Sequence, residues 1–330
     1  MRKGTRIICA VAAVGCIFGA GIIVGRHTFP AGTLQALQKI DLSEVNTSYK
    51  FINPLLFCQD QNVDTKVAID MENMVGDYIT QEKKNGNLMD ASFYFRDLNG
   101  GPWALVNKDF RTLPSSLLKV PVAISAYEYA AKHPDFLGTK VPYQTDTGTN
   151  TGEHFQPKEK VEVGHSYPVE DLIRYMIQDS DNEALFLLGS KIGDDDLKNS
   201  YTRLGVELPT SGDRAGYTMG VRTYASFFRV LYNGTYLTQD DSEHLLSLLS
   251  QSSFTQGLVA KLPRGIVVAH KFGEASSPDG TKRLNDCGIV YKPDQPYLIC
   301  VMTKGRDLDA LASVISDISA NVYKTLQGQE

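Results

Sequence analysis

Strand-like segments stand early and late in this chain, and helical patterns fill the stretch between them. Any sheet it forms must therefore join early strands to late ones. Residues 91–98, ASFYFRDL, lead through Asn99-Gly100-Gly101 into residues 103–107, which reads as a β-hairpin with a glycine-containing turn. Late strands are expected at 265–272, 284–291 and 297–303, the last two joined by Lys292-Pro293-Asp294-Gln295-Pro296. Val169, Leu172, Ile173, Met176 and Ile177 repeat at the spacing of an amphipathic helix. Further helical patterns occupy 64–84, 117–132, 183–192, 195–203, 221–232 and 240–250, and Pro121 lies near enough to its helix start to kink rather than end it. A last helix lines Leu308, Leu311, Ile315, Ile318 and Val322 along one face. Residues 138–166, rich in Thr and Gly, read as an extended excursion. The fold class is α+β: an antiparallel sheet formed by N- and C-terminal strands, packed with a helical subdomain.

The first thirty residues differ from the rest. Residues 7–25 form a run of 19 uncharged, mostly apolar residues, and a helix of that length spans about 28 Å, close to the thickness of a bilayer core. Arg2, Lys3 and Arg6 precede it, which puts the short N-terminus in the cytoplasm and the remainder outside. We read 1–30 as a cytoplasmic tip and transmembrane anchor, in preference to a cleaved signal peptide or a lipid-anchored start at Cys16, and 31–63 as a tether. Arg2, Lys3, Arg6 and Arg26 are the only charges in 1–30, so the rest carries 29 basic against 38 acidic residues. That balance argues against a nucleic-acid partner. Five cysteines are too few for a disulfide scaffold. Cys287 and Cys300 lie on the two arms of the late hairpin, where a disulfide and two unpaired core thiols are both compatible with the spacing. His27, His133, His154, His165 and His244 lack metal-ligand spacing, and no nucleotide-binding glycine motif is present, so neither metal nor cofactor is expected.

Three short motifs occur in one order: Ser116-Leu117-Leu118-Lys119, Ser180-Asp181-Asn182, and Lys271-Phe272-Gly273. The first opens an apolar helix, the second falls between two helical segments, and the third continues a strand. As S-x-x-K, S-D-N and a variant of K-T-G, the set resembles the serine β-lactamases of class A and the penicillin-binding proteins, over about residues 64–326. Elementary chemistry supports the same site. Residues i and i+3 share a helix face, so Lys119 can reach Ser116. A lysine is normally protonated at neutral pH, but partial burial and a second cation, Lys271, favour its neutral, basic form. A helix N-terminus beside Ser116 favours a developing oxyanion.

The resemblance implies a β-lactamase/transpeptidase-like serine hydrolase domain over 64–330, on the extracytoplasmic side of the cell membrane. It implies Ser116 as nucleophile, Lys119 as base and Ser180 as proton donor to the leaving nitrogen. Asn182 would hold the acyl amide, and Lys271 would bind the substrate carboxylate and polarise Ser180. The backbone N–H groups of Ser116 and Glu274, with Gly273 in the same strand, would form the oxyanion hole, and Asp181 would brace its loop. The substrates implied are β-lactams or peptidoglycan stem peptides ending in D-Ala-D-Ala. A class A-related hydrolase comes first. A D,D-carboxypeptidase or penicillin-binding protein, or a sensor or binding module that does not turn over, are the alternatives.

Two departures set this chain apart. Phe272 replaces a hydroxyl residue that usually contacts the substrate carboxylate, and a phenyl ring cannot donate that bond. Lys282 and Arg283 on the next strand are read as solvated charges rather than as its substitute. The loop 204–217 is short and lacks the family's deacylating Glu-x-x-Leu-Asn. Its acids, Glu207 and Asp213, are read as surface charges. Acylation therefore looks equipped, and deacylation is expected to be slow. His270 is read as a structural histidine, since no G-x-S-x-G elbow accompanies it.

Overall fold

The structure, a computed structural model, describes residues 49–53, 65–207 and 216–328. The hydrophobic run 7–25 and Asp213 lie outside them, and no described helix is long and apolar enough to cross a membrane.

The chain opens with helix α1 (Thr65–Asn85), followed by strands β1 (Asp90–Asp97) and β2 (Trp103–Val106) of the expected hairpin, in which Arg96 faces Trp103. The late strands are β7 (Val267–Ser276), β8 (Lys282–Tyr291) and β9 (Tyr297–Gly305), longer than their apolar cores suggest because polar residues continue the pairing at their ends. All five form one antiparallel sheet in the order β2-β1-β9-β8-β7. The pairing of β1 with β9, Asp90 opposite Lys304 through Asp97 opposite Tyr297, is the early-to-late junction anticipated from the order of segments.

Both faces of this sheet are covered, which is why its strands are apolar almost throughout. Phe93, Phe95, Leu284, Val290, Ile299 and Val301 pack on one side with α1 and the final helix α8 (Leu308–Gln327), whose face of Leu311, Ile315, Ile318 and Val322 is buried. On the other side Tyr94, Ile289, Leu298 and Met302 meet the helical subdomain. That subdomain comprises α2 (Lys119–Ala130), α3 (Val169–Gln178), α4 (Asn182–Gly189), α5 (Asp194–Arg203), α6 (Val221–Tyr232) and α7 (Gln239–Leu249). The α3 stripe at Val169, Leu172, Ile173, Met176 and Ile177 is wholly buried, each side chain contributing about 1.5–3 kcal/mol relative to exposure. Two small sheets complete the fold: β3 (Arg111–Thr112) with β6 (Met219–Gly220), and β4 (Lys140–Pro142) with β5 (Ser166–Pro168), which brackets the excursion read at 138–166.

Within the stretch read as a tether, residues 49–53 dock against this subdomain. The Glu243 carboxylate accepts the backbone N–H groups of Lys50, Phe51 and Ile52 at 2.7–2.9 Å, and Phe51 and Ile52 are buried.

The open question of the cysteines is resolved by register. The turn at Asp294, whose φ is 60°, sets Val290 opposite Tyr297, and counting back places Cys287 directly opposite Cys300. The two are joined as a disulfide. Closing a loop of 13 residues restricts the unfolded chain, and the expected stabilisation is about 3 kcal/mol. Urea unfolding of the wild type and of a Cys287→Ala/Cys300→Ala double variant should therefore differ by about that amount. Coincident transitions would show that the bond contributes nothing to stability.

Candidate active site

Ser116 sits in a single turn of 3-10 helix, Ser115–Leu118, which runs directly into α2 at Lys119. The expected helix thus begins with a tighter turn, and Pro121 falls within the first turn of α2, where it can be accommodated. Ser115 holds a φ of 51°, and this bend turns the chain into the helix mouth. The segment is held from several directions. Asn285 Nδ2 on β8 donates to Leu113 O at 3.1 Å, and Tyr224 Oη on α6 donates to Leu117 O at 2.9 Å.

Strand β7 lies at the sheet edge and passes close against this turn. A Cβ placed on Gly273 would stand 2.7 Å from Pro114 O, 2.8 Å from Leu117 N and 3.1 Å from Ser116 N. Only a residue without a side chain permits that approach, which brings the backbone of β7 beside Ser116.

The third wall is the turn between α3 and α4. Ser180 adopts a φ of 60°, an uncommon conformation for a non-glycine residue. Asp181, fully buried, caps α4 by accepting from Glu183 N at 2.9 Å, and it also accepts from Val161 N at 2.8 Å and Asn150 Nδ2 at 2.7 Å. It braces the loop, and its charge also acts on Lys119.

Between these walls two lysines converge. Lys119 Nζ donates to Ser180 O at 2.5 Å, Asn182 Oδ1 at 2.6 Å and Ser180 Oγ at 3.1 Å. Lys271 Nζ donates to the same Ser180 Oγ at 2.8 Å and to Phe272 O at 3.0 Å. Both lysines are shut off from water, at 1% and 0% exposure. Burial pushes the Lys119 amine down to about 7, against the opposing pull of Glu153 and Asp181. Burial and then the neighbouring Lys119 push Lys271 well below the ordinary lysine range, while Asp286, Glu153 and Asp179 oppose them. Two adjacent ammonium groups without solvent would repel strongly, so at neutral pH the pair favours a deprotonated amine.

The hydrogen bonds of Lys119 go to Ser180 and Asn182 rather than to the Ser116 hydroxyl expected from i, i+3 spacing. In a dry pocket an amine turns to the strongest acceptors within reach, here the Ser180 carbonyl and the Asn182 amide oxygen. Ser116, Lys119, Ser180, Asn182, Lys271 and Gly273 nevertheless gather at one cleft, with Glu274 next along the strand.

Phe272 borders this cleft, its ring centroid 4.3 Å from Lys271 Nζ. It is 4% exposed, stacks on Phe254 with ring centroids 4.1 Å apart, and meets Phe155 edge-on at 6.0 Å. His270 Nδ1 lies 2.9 Å from Asp286 Oδ1, with both residues buried, and Asp286 Oδ2 accepts from Leu258 N at 2.9 Å. This is a structural pair, as read from sequence. Glu207 is exposed, and Arg283 Nη1 donates to Ser277 Oγ at 2.6 Å. Among the described residues no cluster of His, Cys, Asp or Glu could hold a metal ion.

The excursion 138–166 supplies what sequence reasoning missed. Glu153 Oε1 accepts from Asn182 Nδ2 at 3.0 Å, Thr149 O accepts from the same nitrogen at 2.9 Å, and Asn150 Oδ1 accepts from Asn182 N at 2.8 Å. No motif or period in that stretch signals these roles.

Comparison with known proteins bears on the fold and the family. Over 176 residues, 48% of this chain, the sequence is 27% identical to the extended-spectrum β-lactamase PER-1 of Pseudomonas aeruginosa, and the match spans only 57% of that relative's length. Among solved structures, a class A β-lactamase from Bacteroides cellulosilyticus superposes with a TM-score of 0.65 at 20% identity, covering 78% of this chain and 99% of that one. A mutant of PBP-A, solved as its acyl-enzyme complex with penicillin G, gives 0.63 at 20% identity, covering 79% and 97%. Those two likenesses bear on the fold. The model of the β-lactamase enzyme family matches residues 73–326, enclosing every residue of the cleft just described. The chain belongs to the β-lactamase enzyme family.

Proposed function

We propose that this chain is an extracytoplasmic serine hydrolase whose Ser116 forms an acyl-enzyme with β-lactams or with peptides ending in D-Ala-D-Ala. One observation carries the reading: two buried lysine amines meet on the hydroxyl of Ser180, beside the turn that presents Ser116. Neutral Lys119 takes the Ser116 proton as Oγ attacks the carbonyl carbon, and the resulting oxyanion is held by the N–H groups of Ser116 and Glu274. The proton passes through Ser180, which Lys271 keeps oriented, to the leaving nitrogen as the C–N bond breaks. Asn182 holds the acyl amide, and the Lys271 amine donates a hydrogen bond toward the substrate carboxylate.

Deacylation is slow in this reading. Glu207 points into solvent, and the described part of loop 204–217 offers no carboxylate to the cleft. The same observation supports a penicillin-binding protein or D,D-carboxypeptidase as the second reading, and release of D-Ala from a stem peptide would favour it. A sensor that does not turn over would bind covalently and release neither product. The Cys287–Cys300 bond supports placement outside the cytoplasm, where thiols oxidise, in line with the anchor read at residues 7–25.

Intact mass spectrometry of the full chain incubated with benzylpenicillin should show addition of the whole antibiotic, since ring opening loses no atoms, and the adduct should persist. Ser116→Ala should show none. Equal labelling of the two proteins would remove the nucleophile from this account. The acylation rate should climb as pH rises and level off above about 7, because Lys119 accepts a proton only in its neutral form, and Lys119→Arg, which stays charged, should lower the rate by about a thousandfold or more. A flat pH profile, or an active arginine variant, would assign the base elsewhere.

A further inference from the structure

Residues 148–156 cross from one wall of the cleft to the other, and their two attachments differ in kind. On the Ser180 side the grip is dense. The Glu183 carboxylate accepts from Thr147 Oγ1 and Thr149 Oγ1 at 2.7 Å each and from Thr149 N at 2.9 Å, while Asn150 bonds both Asp181 and the backbone of Asn182. Burial works to raise the Glu183 carboxyl, yet these bonds hold it at about 2, so this end stays charged and fastened at any ordinary pH. On the β7 side the segment hangs on Phe155 N donating to Glu274 Oε1 at 2.9 Å and on the Phe155 ring against Phe254 and Phe272, with the Glu153 carboxyl near enough to raise that of Glu274. Gly148 and Gly152, with φ of 72° and 92°, supply turning points within the crossing.

In this position the segment occupies the group that would hold substrate. Asn182 Nδ2 spends its two hydrogens on Thr149 O and Glu153 Oε1. An acyl amide reaches Asn182 only when Glu153 lets go.

We propose that residues 148–156 are a lid over Asn182 in the cleft, held shut by Glu274 on the opposite wall and opened by charge repulsion between Glu153 and Glu274. The proposal rests on the reading of Ser116 as nucleophile for what the lid guards, but not for the lid's motion. Burial, then the neighbouring Glu153, raise the Glu274 carboxyl to about 7, against the Phe155 N–H and His154, which lower it. A carboxyl that binds its proton more tightly in the closed form stabilises that form below this pH and loses the effect as pH rises through it. The surrounding charges act in the same sense. His154 on the lid lies 3.1 Å from Asp309 on α8, a further tie between the lid and the body of the fold. Lys119 on α2 and Lys271 on β7 both sense Glu153, and loss of the Lys119 proton near pH 7 removes a cation that offsets the glutamate repulsion. Asp179 and Asp181 in the Ser180 turn add negative charge beside the two lysines.

Hydrogen–deuterium exchange of the full chain without any β-lactam, read on peptides covering 148–156, follows the lid directly. After correction for intrinsic rates, exchange there should rise about tenfold between about pH 6 and about pH 8. Glu274→Gln keeps a donor toward Glu153 at every pH and should hold the slow rate throughout, whereas Glu153→Ala should exchange fast at both values. An unchanging wild-type lid, or a Glu274→Gln protein that follows the wild type, overturns the proposal whatever happens at Ser116. Adduct formation with benzylpenicillin then tests the guarding role. Faster labelling of Glu153→Ala than of wild type at about pH 6 supports it, and equal labelling overturns it.

Discussion

The hydroxyl of Ser180 receives two lysine amines, 3.1 Å and 2.8 Å away, in a space from which water is excluded. Neither amine could be kept there as an isolated charge, because removing an ammonium from water costs far more than a few hydrogen bonds return. The pocket therefore tolerates them by lowering their proton affinity, and a lysine that is ordinarily an acid becomes a usable base. Every wall of the cleft serves this arrangement. The left-handed backbone at Ser180 aims its carbonyl and hydroxyl together at Lys119, and Asp181 holds that turn by capping α4 beneath it.

The sheet supplies the other half. Because β1 pairs with β9, the late strands are anchored from one side and β7 is left as an edge with backbone free to face a cleft. Gly273 lets that edge touch the 3-10 turn, and Asn285, its cross-strand neighbour on β8, ties down the residues leading into the turn. Lys271, two positions before Gly273, is thereby carried to Ser180, while the Phe272 ring between them joins the aromatic cluster with Phe254 and lies 4.3 Å from the Lys271 amine. The loss of a hydroxyl at that position is thus a change of packing as well as of chemistry. The ring strengthens the core on which the lid's Phe155 rests.

Much of this was legible before any coordinates. The helix read at 221–232 is α6 to the residue, the early hairpin has the expected arms, and the three motifs stand in the cleft that their order implied. Each of those signals is local: a stripe every three or four residues, a glycine turn, or a handful of adjacent side chains. Residues 138–166 carried no such signal and were read only as an excursion. Yet Glu153 meets Asn182 across 29 positions, and Phe155 meets Glu274 across 119. No periodicity could have paired them.

Chain order and side-chain pattern were enough to specify an α+β sheet joined early to late and a serine–lysine pair three positions apart. They left Cys287 and Cys300 either bonded or apart, Lys119 directed at Ser116, and Glu274 known only for its backbone. Packing determined those points: strand register set the cysteines face to face, dehydration sent the Lys119 amine to carbonyl oxygens, and a crossing segment laid Glu153 beside Glu274. The difference is physical. Secondary structure answers to neighbours along the chain, whereas the charge state and aim of a side chain answer to whatever distant segment excludes water from it.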